Sequence, residues 1–144
     1  MIIRHPQKKT TGKDGLTILE VLVVLSIIAL ISAVVAPRLI GYLGRAKSET
    51  AELQIDNLVN AVQLFYIDVG RYPATSEGLA ALVIAPAGAT SWAGPYMQSA
   101  DGLRDPWDRD YQYEEPTDSQ NFTILSLGRD GVQGGTGEDT DLRF

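Results

Sequence analysis

The sequence predicts an α+β fold, a long N-terminal α-helix packed on a small antiparallel β-sheet. Three observations predict it. Residues 16–36 are 21 positions whose only charge is Glu20. Apolar residues then recur at helical spacing as far as Val69. Beyond that helix, two short alternating segments flank a proline-bearing turn. A length of 144 residues suits one domain, and 44% apolar content is too high for disorder.

The apolar segment comes first. As a helix it spans roughly 30 Å, the depth of a bilayer's hydrocarbon core, and it exceeds the apolar run of an ordinary secretory signal. Residues 1–15 carry Arg4, Lys8, Lys9 and Lys13 against Asp14, a balance of +3. Residues 16–144 carry 8 basic and 17 acidic side chains, a balance of −9. Four leader cations against Arg38, Arg45 and Lys47 on the other flank favour a cytoplasmic N-terminus, with the acidic body exported. That acidic body lacks the basic footprint nucleic acid requires. With no Cys and only His5, disulfide, thiolate, haem and His-ligated zinc chemistry are excluded.

Glu20 is the costly residue, worth about 2–3 kcal/mol if held deep in the bilayer. Residues 16–36 contain no Lys or Arg to meet it. A cut after Gly15 would create a cation, the α-amino group of Leu16, one helical turn from Glu20 and within reach of Glu20 in a neighbouring copy.

Beyond Pro37, which removes a backbone donor and perturbs the helix, the apolar stripe comprises Leu39, Leu43, Ala46, Leu53, Ile55, Leu58, Val59, Val62, Phe65, Tyr66 and Val69. Gly70 and Pro73 end it. One nearly continuous helix over residues 16–69 would measure roughly 80 Å. Thr75, Ser76 and Glu77 then read as a capped helix start, with Leu79, Leu82 and Val83 on one face. A loop over residues 85–95 carries Trp92. Residues 111–114 and 121–126 alternate as strands around a turn at residues 116–119, and a last short strand includes Leu142 and Phe144. Trp107 and Tyr111 read as core packing. Asp105, Asp108 and Asp110 come without a nucleophile–base arrangement, so no enzyme is expected.

The tail, residues 127–141, sets Asp130, Glu138, Asp139 and Asp141 among five glycines. Glycines let carbonyls and carboxylates converge, and Ca2+ takes about six to eight such oxygens. The spacing is not that of an EF-hand. From composition, a flexible acidic loop and a calcium site stand as alternatives.

Lys13-Asp14-Gly15 followed by Leu16-Thr17-Ile18-Leu19-Glu20 and the apolar run resembles the type III signal of type IV pilins and pseudopilins. The resemblance implies that a prepilin peptidase cleaves after Gly15 and methylates the new N-terminus, although Leu16 stands where the family usually has Phe. It makes Glu20 the fifth mature residue, the family's assembly glutamate, and Pro37 the twenty-second, its helix-perturbing proline. Three further stretches resemble the major pseudopilins of type II secretion systems. They are Gly70-Arg71-Tyr72-Pro73 through Leu82, Gly94-Pro95-Tyr96, and Asp105-Pro106-Trp107-Asp108 through Tyr113. At Asp108 that family commonly has glycine, a departure that bears on the turn.

The resemblance implies a type IV pilin-like fold divided into a cleaved leader (1–15), a transmembrane and assembly half-helix (16–37), an amphipathic half-helix (38–70) and a globular region (71–144). It implies bound Ca2+, with Asp130 and Asp141 as carboxylate ligands, Leu127 as a carbonyl donor, and Asp139 and Thr136 as further candidates. It implies a single-pass inner-membrane protein with a periplasmic C-terminal domain. The expected function is a structural subunit of a periplasmic pseudopilus that drives folded proteins across the outer membrane. Its partners would be further copies in a helical filament, minor pseudopilins, an inner-membrane assembly platform, the prepilin peptidase and membrane lipid. The alternative is an adhesive or motility type IV pilin, most of which carry a C-terminal cysteine pair that is missing here.

Overall fold

The structure, a computed structural model, describes residues 17–118 and 120–144. The predicted cleavage positions Gly15 and Leu16 lie outside the described residues, as does Ser119 in the predicted turn. Helix α1 is Ile18–Val69 and retains its helical assignment through Pro37. Two compact units divide near that proline, residues 1–39 and residues 40–144.

In the first unit, the described residues from Thr17 to Leu39 are exposed along the helix. An 18-residue window of α1 has a mean hydropathy of 2.9 and no buried share, so length and composition suit a membrane span. At its start, the Thr17 hydroxyl accepts the Glu20 N–H at 3.2 Å. This closes one of the orphan donors that begin every helix.

In the second unit, α1 presents Ala51, Ile55, Leu58, Val62 and Phe65 at alternating three- and four-residue intervals, all buried. Ile55, Leu58, Val62 and Phe65 meet Leu79, Leu82, Tyr111, Tyr113, Phe122 and Ile124 in one core. The predicted stripe holds for Ile55 to Phe65, whereas Leu39, Leu43, Ala46, Leu53 and Tyr66 stay exposed and Ala51 is buried. Strand β1 (Gln112–Glu114), β2 (Thr123–Ser126) and β3 (Leu142–Arg143) form an antiparallel sheet in that order. Tyr113 pairs with Ile124 and Ser126 with Leu142 in the register. The side chains of Tyr113 and Ile124 thereby enter the core, their strand neighbours facing outward. Burial pushes the phenols of Tyr111 and Tyr113 well above their ordinary pKa. Each keeps its proton on a hydrogen bond, Tyr111 to Gln54 Oε1 at 2.8 Å and Tyr113 to the Pro73 carbonyl at 3.0 Å.

The expected helix cap at Thr75 and Ser76 does not form. A five-residue 3-10 helix, Gly78–Leu82, follows Glu77 with no side-chain cap. The Thr75 hydroxyl instead accepts the Glu115 N–H at 3.1 Å. Glu77 turns back: its carboxylate takes the Ala74 N–H at 2.9 Å and the Arg71 guanidinium through both oxygens, at 2.7 and 2.8 Å.

Hydrogen bonding from Arg71, then from Ala74 N–H, holds the Glu77 carboxyl below its ordinary pKa. A lowered folded-state pKa stabilises the fold fully above the unfolded value, about 4.3, and loses that contribution as pH falls toward the folded value. Glu77→Gln should therefore lower the melting temperature at neutral pH. In melting curves across pH, its gap from the unsubstituted protein should narrow only below about pH 4.3.

Candidate functional site

Two regions hold the residues singled out by sequence. The first is the helix around Glu20 and Pro37. Glu20 is exposed, with uncharged residues from Val21 to Pro37 following it. Pro37 lies inside α1 and has no N–H to give the Ala33 carbonyl one turn earlier.

The second region is the C-terminal loop, and Asp105, which the sequence offered only as one of three acids without catalytic partners, organises it as a buried carboxylate. Asp105 is 5% exposed. Its Oδ1 accepts the N–H groups of Trp107 and Arg109 at 3.0 and 2.9 Å, and its Oδ2 accepts the Ser126 hydroxyl at 2.7 Å. Ser126, itself buried at the end of β2, accepts the Gly128 N–H at 3.3 Å. Arg109 reaches across from the same turn to the carbonyls of Gly128 and Arg129 at 2.5 and 2.6 Å. The turn at residues 105–109 and the start of the loop are thus tied by a buried acid and a guanidinium. At Asp108, where relatives were expected to have glycine, φ is 68°, so the aspartate itself adopts the left-handed turn. At Gly131 φ is 70° and a Cβ would lie 2.8 Å from Arg109 Nε, so a larger residue there would strain the turn and displace that side chain.

The expected metal residues are distributed as follows. Asp130 Oδ1 accepts the Val132 N–H at 3.0 Å, and Asp141 Oδ2 accepts the Gly134 N–H at 2.9 Å. Asp139 is engaged by Arg129 through both oxygens, at 2.8 and 2.9 Å. The sequence reading of this loop gave Arg129 no role, although its position between Gly128 and Asp130 placed a cation among the acids. The Thr136 carbonyl accepts the Asp139 N–H at 3.2 Å, opening the short 3-10 turn Gly137–Asp139. Leu127 lies half-buried beyond β2.

Among the described residues no group of three or more His, Asp or Glu side chains converges on one point. One observation does fit a cation: Asp141 Oδ1 is buried without a hydrogen-bond partner. A buried carboxylate oxygen left unpaired is costly, and a metal ion is one of the groups that satisfies it. A site here would draw on few carboxylates and on backbone carbonyls, which Ca2+ accepts.

Asp105→Ala leaves two inward N–H groups and the Ser126 hydroxyl without their acceptor, at a cost of about 3 kcal/mol. Asp105→Asn, which keeps an amide oxygen there, should lose less. Denaturant unfolding of the full chain in detergent measures both.

Residues 38–144 match the model of the family described as type II secretion system (T2SS), protein G. The chain is 34% identical over 143 residues to the type II secretion system core protein G of Xanthomonas campestris pv. campestris, covering 99% of this chain and 96% of that one. To the core protein G of Vibrio cholerae it is 36% identical, covering 94% of this chain and 93% of that one. A crystal structure of the major pseudopilin from the type 2 secretion system of enterohaemorrhagic Escherichia coli superposes with a TM-score of 0.55 at 31% identity. It covers 74% of this chain and 93% of that one. The fold and sequence together make this chain a member of the type II secretion system protein G family, the major pseudopilins.

Proposed function

We propose that this chain polymerises into the pseudopilus of a type II secretion system, the filament that drives folded proteins across the outer membrane. The observation that carries the reading is the exposed apolar half of α1. Seventeen uncharged residues, from Val21 to Pro37, stand on a helix with their side chains outward. Such a surface is stable in lipid or against copies of itself, and unstable in water. The subunit first resides in the inner membrane as a single-pass protein with its acidic body in the periplasm. A prepilin peptidase frees the Leu16 amine by cutting after Gly15 and methylates it. An inner-membrane assembly platform then moves the subunit into the helical filament, which minor pseudopilins join.

Within the filament, Glu20 of one copy meets the Leu16 amine of the next, which fixes the axial register. The Thr17 cap supports this by securing the backbone of the first turn around Glu20. Pro37 loosens one helical bond and so lets the half-helices bend to pack. Glu20→Ala should insert into membranes normally yet yield few filaments by electron microscopy of sheared material. Abundant filaments of ordinary length from that variant would refute the register role.

The C-terminal loop is read as a Ca2+ site, with Asp130 and Asp141 as carboxylate ligands, the Leu127 carbonyl as a further donor, and Asp139 and Thr136 at its margin. Its support is the unpaired Asp141 oxygen together with four acids crowded into residues 127–141. A bound dication would neutralise that repulsion and stabilise the folded state by mass action. Asp130→Ala should lower the melting temperature by several degrees in calcium and leave it nearly unchanged in chelator. Equal lowering in both conditions would assign Asp130 a purely structural part.

A further inference from the structure

Gly44 is buried in α1 between exposed neighbours, Leu43 and Arg45, although it has no side chain of its own to bury. What covers it is the Glu138 side chain. A Cβ at Gly44 would lie 2.7 Å from Glu138 Cδ and Oε2. Gly41, one turn earlier, has open space where its Cβ would be. Glycine is a poor helix former wherever it falls in a helix interior, and only Gly44 has a steric reason to remain.

Glu138 comes from the 3-10 turn of the C-terminal loop, and its side chain is only 19% exposed. Its Oε1 accepts the Trp107 indole N–H at 3.3 Å, and its Oε2 accepts Arg129 at 3.2 Å. Its own carbonyl accepts the Arg129 N–H at 2.9 Å. One carboxylate therefore touches three separate pieces of chain: the helix at Gly44, the turn at Trp107 and the loop at Arg129.

We propose that Glu138 is the positioning residue that bolts the C-terminal loop onto α1, with Gly44 as its seat, so that the loop is held on the helix before any cation arrives. Hydrogen bonds to a charged acceptor in a sheltered place are stronger than neutral ones. The seat adds shape, since only a residue without a Cβ lets the carboxylate approach the helix backbone. Arg129 then serves twice, clamping Asp139 with its fork and Glu138 with its remaining donor. The proposal stands apart from the calcium reading, because every contact in it is made by protein atoms.

The test is tryptic cleavage after Arg129 in the full chain in detergent micelles, with chelator present. Gly41→Ala and Gly44→Ala make the same change in the same helix, and both favour helix formation. Gly41→Ala should be cut as slowly as the unsubstituted protein. Gly44→Ala should be cut about fivefold faster as the bolt is pushed from its seat. Glu138→Gln keeps an acceptor for Trp107 and should fall between Gly44→Ala and the unsubstituted protein, while Glu138→Ala should match or exceed Gly44→Ala. Equal cleavage rates for Gly41→Ala and Gly44→Ala would overturn the proposal. A parallel arm in millimolar calcium tests the cation reading separately: calcium that fails to slow cleavage of the unsubstituted protein counts against that reading and leaves the chelator comparison intact.

Discussion

An uncharged helical surface that must be covered from outside the polypeptide governs this protein. From Val21 to Pro37 there is no charge, and the side chains point outward. At about 25 cal/mol per Å2 of apolar surface, leaving such a helix in water costs tens of kcal/mol, far more than the whole stability of a domain this size. The segment is compatible with lipid and with other half-helices of the same kind. Passage between those two environments is what a membrane-drawn filament requires. Glu20 is the one charge in residues 16–36, and an acid in an apolar wall is costly unless a cation meets it.

The second unit solves a different problem, that of a small body with no disulfide. Its sheet has three short strands, and its core depends on the stripe that α1 lends it between Ile55 and Phe65. The ends of the chain segments are held by polar bolts. Asp105 gathers two backbone N–H groups and the Ser126 hydroxyl, Arg109 spans to the loop carbonyls, and Glu138 anchors the loop on the helix. Such ties are strong only because they are sheltered and satisfied. They give a glycine-rich loop, which would otherwise resist ordering, a defined place.

Much of this was legible in the residues. The apolar run and the 3.6-residue recurrence that follows it set α1 to within two residues of its observed ends, and alternation around Tyr113 and Ile124 marked the sheet. What escaped was tertiary. Thr75 and Ser76 carried a good cap signature, but Glu77 found a better partner in Arg71, and the segment closed as a 3-10 turn. Asp105 looked like one of several turn acids, because no local pattern marks which carboxylate will be buried. Trp107 was expected in the core; it lies half-buried, with its N–H on Glu138, while Tyr111 entered the core as expected. No local pattern distinguishes Gly44 from Gly41; only the folded chain, which sets Glu138 against Gly44, does.

The chain has no cysteine, so single cysteines placed one at a time at Val24, Ile28 and Ile31 report unambiguously on what lies beside the apolar half-helix. Oxidative cross-linking of these variants in intact membranes, before and after filament assembly is switched on, tests the central claim directly. The account predicts covalent dimers at one or more of these positions once filaments form, and mostly monomer before. Filaments that assemble while all three positions remain monomeric would show that these half-helices are not what holds the copies together.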